Sequence, residues 1–145
     1  MKVKLVILFF VTLFMSACSD KSYTIAVDFS NESSYDITFV MKTDKYEEGK
    51  VVQTTIKDIY TIKTGESRTI GASDFGAMFW WQFWLNTRID SIRFGDSVMV
   101  DIGDRYGNVD NYTLVKSAEQ LKRYSYTFTD EDYHYALEQS TNITN

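Results

Sequence analysis

Strict alternation of large apolar with smaller or polar residues constrains this chain more than any other feature. In Tyr23 to Phe29 (YTIAVDF), the residues Tyr23, Ile25, Val27 and Phe29 recur at every second position, and Tyr35, Ile37, Phe39 and Met41 repeat the pattern. A period of two puts all four side chains of each run on one face of an extended chain, which reads as a half-buried strand. The polar link Ser30-Asn31-Glu32-Ser33-Ser34 predicts a turn, and the two runs together predict a hairpin with a longer loop.

The same reading continues along the chain. Val51 to Ile62 is rich in β-branched residues and long enough for a strand that bends or bulges near Asp58. Ser67 to Ile70 is a further short strand. Ile89 to Phe94 and Ser97 to Ile102 flank Gly95-Asp96, a good two-residue loop; pairing through it sets Ile92 against Met99 and Ile89 against Ile102. Gly103 to Asp110 reads as a loop, and Asn111 to Val115 and Tyr124 to Phe128 as strands. Ser117-Ala118-Glu119-Gln120 fits a capping box for one helical turn. Thr129-Asp130-Glu131-Asp132 is a second capping signal, with three acids where a helix dipole favours them, and predicts a short helix ending near Gln139. About eight short strands with turn signals between them predict an all-β fold, an antiparallel β-sandwich with a short C-terminal helix. The expected domain is 23–139, followed by a polar tail at 140–145.

Ser73 to Leu85 (SDFGAMFWWQFWL) is ambiguous by period. A helix stacks Trp80 on Trp84 and Phe79 on Phe83. A strand groups Phe79, Trp81, Phe83 and Leu85 on one face and leaves Trp80, Gln82 and Trp84 on the other. Aromatic density favours the strand. Trp80 and Trp84 then flank Gln82 as a candidate ligand-binding platform. Such indoles stack on sugar rings while the amide bonds their hydroxyls, and the same residues suit a hot spot for a protein partner. Large aromatics also commonly serve as core.

The N-terminus carries the addressing information. Lys2 and Lys4 precede the uninterrupted apolar block Leu5 to Phe14, and Met15-Ser16-Ala17 leads directly into Cys18, the chain's single cysteine. This order is that of a secretory signal, and the block falls short of the roughly 20 apolar residues of a spanning helix. The Met15-to-Cys18 stretch resembles the lipobox of bacterial lipoproteins. The resemblance implies a signal peptide at 1–17, lipidation of Cys18 by fatty acyl chains such as palmitate, a tether at 18–22, and a lipid anchor in the outer membrane of a bacterial envelope, on its periplasmic or its surface-exposed face. Together with the segment Ile89 to Ala136, the signal is similar to small lipoproteins of Bacteroides and its relatives, a likeness that brings no activity with it. Asp90-Ser91-Ile92 and Asp96-Ser97-Val98 look like the O-glycosylation acceptors of that group, which implies sugars at Ser91 or Ser97 if either hydroxyl is exposed.

Charge and composition limit the partners. All 20 acidic residues but only 13 of the 15 basic ones follow the expected cut, leaving a net charge of −7. An acidic chain with no basic stripe argues against nucleic acid. With no second thiol after Cys18 for a disulfide, stability must come from packing, for which the ten Tyr and ten Phe supply the bulk.

Catalytic chemistry has little to stand on. His134 is the only histidine and sits four residues before Glu138, a spacing that suits a solvated pair on a helix. Asp130, Glu131 and Asp132 are accounted for by the helix start. Asp90, Asp101, Asp104 and Asp110 offer oxygens in a spacing that matches no calcium loop. No nucleotide, hydrolase or metalloprotease motif occurs. The expectation is a non-enzymatic module without metal or cofactor, anchored to the membrane through its lipid. Its expected role is binding or scaffolding a protein partner, with glycan binding through the aromatic platform as the alternative.

Overall fold

A computed structural model of the protein describes residues 22–75 and 80–142. The signal, Cys18 and most of the tether lie outside those residues, as do the last three residues of the tail. Strands β1 (Ser22–Asn31), β2 (Ile37–Glu47), β3 (Lys50–Ile62) and β4 (Ser67–Phe75) come first, then helix α1 (Trp80–Thr87). Strands β5 (Ser91–Phe94) and β6 (Val98–Asp101) follow, then the short α2 (Gly103–Gly107) and a 3-10 turn at Val109–Asn111. Strands β7 (Thr113–Ala118) and β8 (Leu121–Phe128) and helix α3 (Asp130–Asn142) complete the chain. One sheet has the order β4-β1-β8-β7 and the other β3-β2-β5-β6. They enclose one core, so the β-sandwich with a C-terminal helix is the fold.

The alternation of β1 does what its period requires. Ile25, Val27 and Phe29 are buried, and they meet Ile37, Phe39, Ile92, Phe94, Val98 and Val100 of the opposite sheet. The Phe29 and Phe39 rings sit 4.9 Å apart between the layers, and Phe128 stacks on Phe29 at 5.8 Å. Each such ring contributes about 1.5–3 kcal/mol of transfer free energy.

The partners of these strands differ from those the sequence predicts. β1 and β2 form no hairpin, because each joins a different sheet and residues 32–36 cross between the layers. Asn31 holds that crossing. Its buried amide donates to the carbonyls of Tyr35 (2.8 Å) and Ile62 (2.9 Å), and its oxygen accepts from the Ser33 amide and hydroxyl. β1 also pairs with β8 in parallel, so that sheet is mixed rather than antiparallel throughout.

The β5–β6 register is one residue off the predicted one. Phe94 faces Val98 and Ile92 faces Val100 around a three-residue loop with Gly95 at φ +57. This register puts all four apolar side chains on the core face, whereas the two-residue loop would have matched Ile92 with Met99 and Phe94 with Ser97. Ser117 to Gln120 forms no helical turn: Ala118 pairs with Leu121 across a tight β7–β8 turn. The C-terminal helix runs on past Gln139 to Asn142.

The bulge predicted near Asp58 is present. Phe39 pairs with Tyr60 and Val40 with Asp58, which leaves Ile59 as the extra residue. A second bulge leaves Val52 over, between the pairs Lys45–Gln53 and Tyr46–Val51. Beyond Val40, β2 and β3 leave β5 behind and continue as a two-stranded ribbon. It closes through Glu48 and Gly49, both at positive φ as a primed two-residue turn requires.

Candidate functional site

Of the aromatic run, residues 73–75 end strand β4 as expected, 76–79 lie outside the described residues, and Trp80–Thr87 is a helix rather than a strand. The helical period settles which rings are core. Phe83 and Trp84 are buried and Trp80 is half-buried on the same side, while Trp81 and Leu85 are 54% and 59% exposed. Trp80 stacks on Phe83 at 5.2 Å, and Trp84 packs against Phe29 and Phe39. The expected platform is thereby taken apart. At 100° per residue Gln82 points away from both Trp80 and Trp84, and the Trp84 ring, 4% exposed, has no face left to offer a sugar. The indole at the surface is Trp81.

Trp81 and Leu85 form one wall of an open hollow of about 730 Å3. Trp84 and Ile102 lie below, and Gly103, Asp104, Gly107 and Asn108 of the α2 segment form the other wall. Glycines at 103 and 107 leave the backbone of that wall bare. Gly103 holds φ +46, a conformation that a side chain would strain.

Buried hydrogen bonds fix the two walls relative to each other. The Tyr106 carbonyl accepts from the Trp84 indole at 3.1 Å, from the Tyr112 hydroxyl at 2.9 Å and, at a longer 3.4 Å, from the Trp80 indole. Tyr106 is itself fully buried beside the carboxylate of Asp132, which is 2% exposed. Asp132 Oδ1 accepts from Tyr126 Oη (2.6 Å), Arg105 Nε (2.9 Å) and, more weakly, Tyr106 Oη (3.4 Å), while Oδ2 accepts from the Thr129 amide (2.9 Å). The last bond is the capping box read from the sequence. The other three make Asp132 a hub that joins α2, β8 and α3.

The hub shifts its neighbours' ionisation. Burial, reinforced by the Asp132 charge, pushes the Tyr106 hydroxyl well up, and burial with the Asp132 hydrogen bond does the same to Tyr126. At Arg105 burial works against the charge, but the Asp132 hydrogen bond and charge outweigh it and hold the guanidinium protonated. Both phenols therefore stay neutral donors and Arg105 stays a cation, an arrangement that binds elements together and moves no proton near neutral pH.

The remaining sequence-flagged residues are scattered. Asp101 faces Ser91 rather than Asp90. Lys42 serves both acids, its backbone amide donating to Asp90 Oδ2 at 2.7 Å and its ammonium pairing with Asp101. Ser91 is fully buried and donates to Asp101, so its hydroxyl is closed to modification, while Ser97 is exposed in the β5–β6 loop. Asp104 lies on the hollow's wall and Asp110 in the 3-10 turn beyond it. His134 is exposed on α3, its ring 5.7 Å from that of Tyr133. Asp130 accepts from the amide and hydroxyl of Ser34 across the crossing segment. Among the described residues no three His, Cys, Asp or Glu side chains converge on a metal-sized site. Set against known proteins, the chain matches no family model, no curated protein and no solved structure.

Sequence reasoning passed over Trp81 and the hub role of Asp132. The signal for the first was the i,i+4 spacing of Trp80 and Trp84, which turns position 81 outward once those two are core. The second had only half a signal, since Thr129-x-x-Asp132 marks the cap and nothing local marks the contact with Arg105, which comes 27 residues earlier.

Proposed function

We propose that the chain is a lipid-anchored envelope protein of the outer membrane whose β-sandwich is a non-enzymatic partner-binding module. The anchor reading rests on the basic, apolar and small-residue order that ends at Cys18. The binding reading rests on a single observation: Trp81 and Leu85 stand more than half exposed on the rim of a hollow whose walls are held by buried hydrogen bonds. A pre-organised apolar rim centred on a tryptophan matches the anchor residues of protein interfaces. Radiolabelled palmitate enters the intact chain and not the Cys18→Ala variant. Affinity capture from envelopes recovers a partner that Trp81→Ala and Leu85→Ala both lose. Capture unchanged by either substitution would rule the hollow out as the contact.

Glycan binding is a second reading, now centred on Trp81. Asp104 and Asn108 supply hydrogen-bonding groups in the same hollow as the indole, as a sugar ring and its hydroxyls require. Carboxylate and net negative charge favour neutral over acidic sugars. Retention on a polysaccharide array falls on Trp81→Ala in this reading; equal retention eliminates it.

A further inference from the structure

The β2–β3 ribbon is the largest part of the described chain that packs against nothing. Residues 43–58 are all exposed, and Tyr46, Val51, Val52 and Ile56 are 49–62% accessible. The ribbon is also two-faced. Directly paired residues of an antiparallel ladder share a face, and the observed pairs put Tyr46 with Val51, Asp44 with Thr54 and Lys42 with Ile56 on one side, where the Thr54 hydroxyl donates to Asp44 Oδ1 at 2.6 Å. Lys45 with Gln53, Thr43 with Thr55 and Glu47 with Lys50 lie on the other. The bulge at Val52 produces this sorting, because it keeps Val51 in step with Ile56. A bare two-stranded ribbon is marginal in water, so an exposed apolar pair at its tip, Tyr46 with Val51, calls for a covering surface.

Connectivity says which surface is near. Asn31 bonds to Ile62, the partner of Ile37, and Phe29 meets Phe39, so β1 and β2 run past each other in opposite directions at matched heights. Counting on at that rate brings Tyr46 level with Ser22, where β1 begins. Ser22 is four residue steps from Cys18, a reach of at most about 14 Å at 3.3–3.6 Å per residue. The ribbon tip thus lies at the end of the domain that a lipid on Cys18 would hold against the bilayer.

We propose that the tip of the ribbon is a second membrane contact, with Tyr46 and Val51 entering the headgroup region beside the acyl chains on Cys18. The proposal rests on the anchor reading. Tyrosine suits that depth, with an apolar body and a polar tip. Asp44, Lys45, Glu47, Glu48 and Lys50 sum to a charge of −1, so the contact does not depend on anionic lipid.

The test uses the full chain, purified from membranes and reconstituted into phosphatidylcholine vesicles, with an environment-sensitive fluorophore on Val51→Cys or on Gln53→Cys. A lipidated Cys18 is a thioether and takes no label, and its acylation is read by mass. The expected result is blue-shifted emission, quenched by headgroup-depth spin labels, from position 51 and aqueous emission from position 53. Aqueous emission from both positions on a lipidated chain overturns the ribbon contact and leaves the anchor standing. An unmodified Cys18 overturns both. A blue shift at position 51 that needs added envelope protein and is absent in pure lipid overturns the proposal in favour of a protein partner.

Discussion

Strand β2 passes through two environments. From Ile37 to Val40 every residue is buried, held between β3 and β5 and, at Ile37 and Phe39, pressed on the opposite sheet. From Thr43 to Glu47 every residue is exposed, and among the described residues β3 is its only paired strand. The backbone stays extended along the way, but the pairing with β5 ends at Val40. The difference is the second layer, which teaches that strand geometry in this protein is cheap and that stability is concentrated where the sheets overlap.

That contrast can be broken by substitution. Phe39→Ala removes a ring packed against Phe29, Trp84 and Phe128 and is expected to cost about 4 kcal/mol, read as a lowered midpoint in urea unfolding. A cost near that of a ribbon substitution would erase the distinction. Asp132→Ala comes next. It strands Arg105, the half-buried Tyr126 hydroxyl and the buried Tyr106 hydroxyl and is expected to cost about 3 kcal/mol. The same variant loosens α2 and exposes Trp84, seen as a red shift in tryptophan emission.

Acid sharpens the comparison at smaller amplitude. The bidentate Arg123 hydrogen bonds at 2.6 and 2.8 Å hold the Asp28 carboxyl below its ordinary value, and Lys42 does the same for Asp101. A carboxylate whose folded value is depressed contributes stability that is fully present above its unfolded value. That contribution is lost as pH falls through the ordinary aspartate range to the depressed value. Both pairs are partly solvated and screened, so each contribution is small. Arg123→Gln should flatten the acid limb of a stability–pH profile while moving the neutral plateau little. The smallest effect belongs to the ribbon: Ile56→Ala in the water-soluble domain should change stability by no more than about 0.5 kcal/mol.

How far the sequence disclosed this structure depends on the range of the interaction. The strands of the first half, the Asp58 bulge and the Thr129 cap are local patterns and were legible. Pairing was not, because the alternation in Tyr23–Phe29 is satisfied by any apolar layer and carries no information on which strand lies alongside. The β5–β6 register turned on whether Ser97 belonged to loop or strand, a choice made by the core and not by the turn. Trp80–Thr87 misled because aromatic residues suit a sheet, yet here Phe83 and Trp84 fill the space beneath β2 as a helix. Asp132 was legible as a cap and illegible as a hub, since three of its partners reach it only after the layers close.

The parallel pairing of β1 with β8 has a kinetic consequence. Thr24 lies beside Leu121, so the two strands that meet in the middle of that sheet are nearly the first and nearly the last of the domain to be synthesised. A growing chain can join β1 to β4 early, but one flank of β1 stays bare until almost the whole domain has left the ribosome. Closing a loop of that length precedes any reward from the seam. Nascent protein should therefore stay open to chaperones or to proteases until β8 arrives, and a stop codon placed before β8 should leave no trimmed, stable remnant.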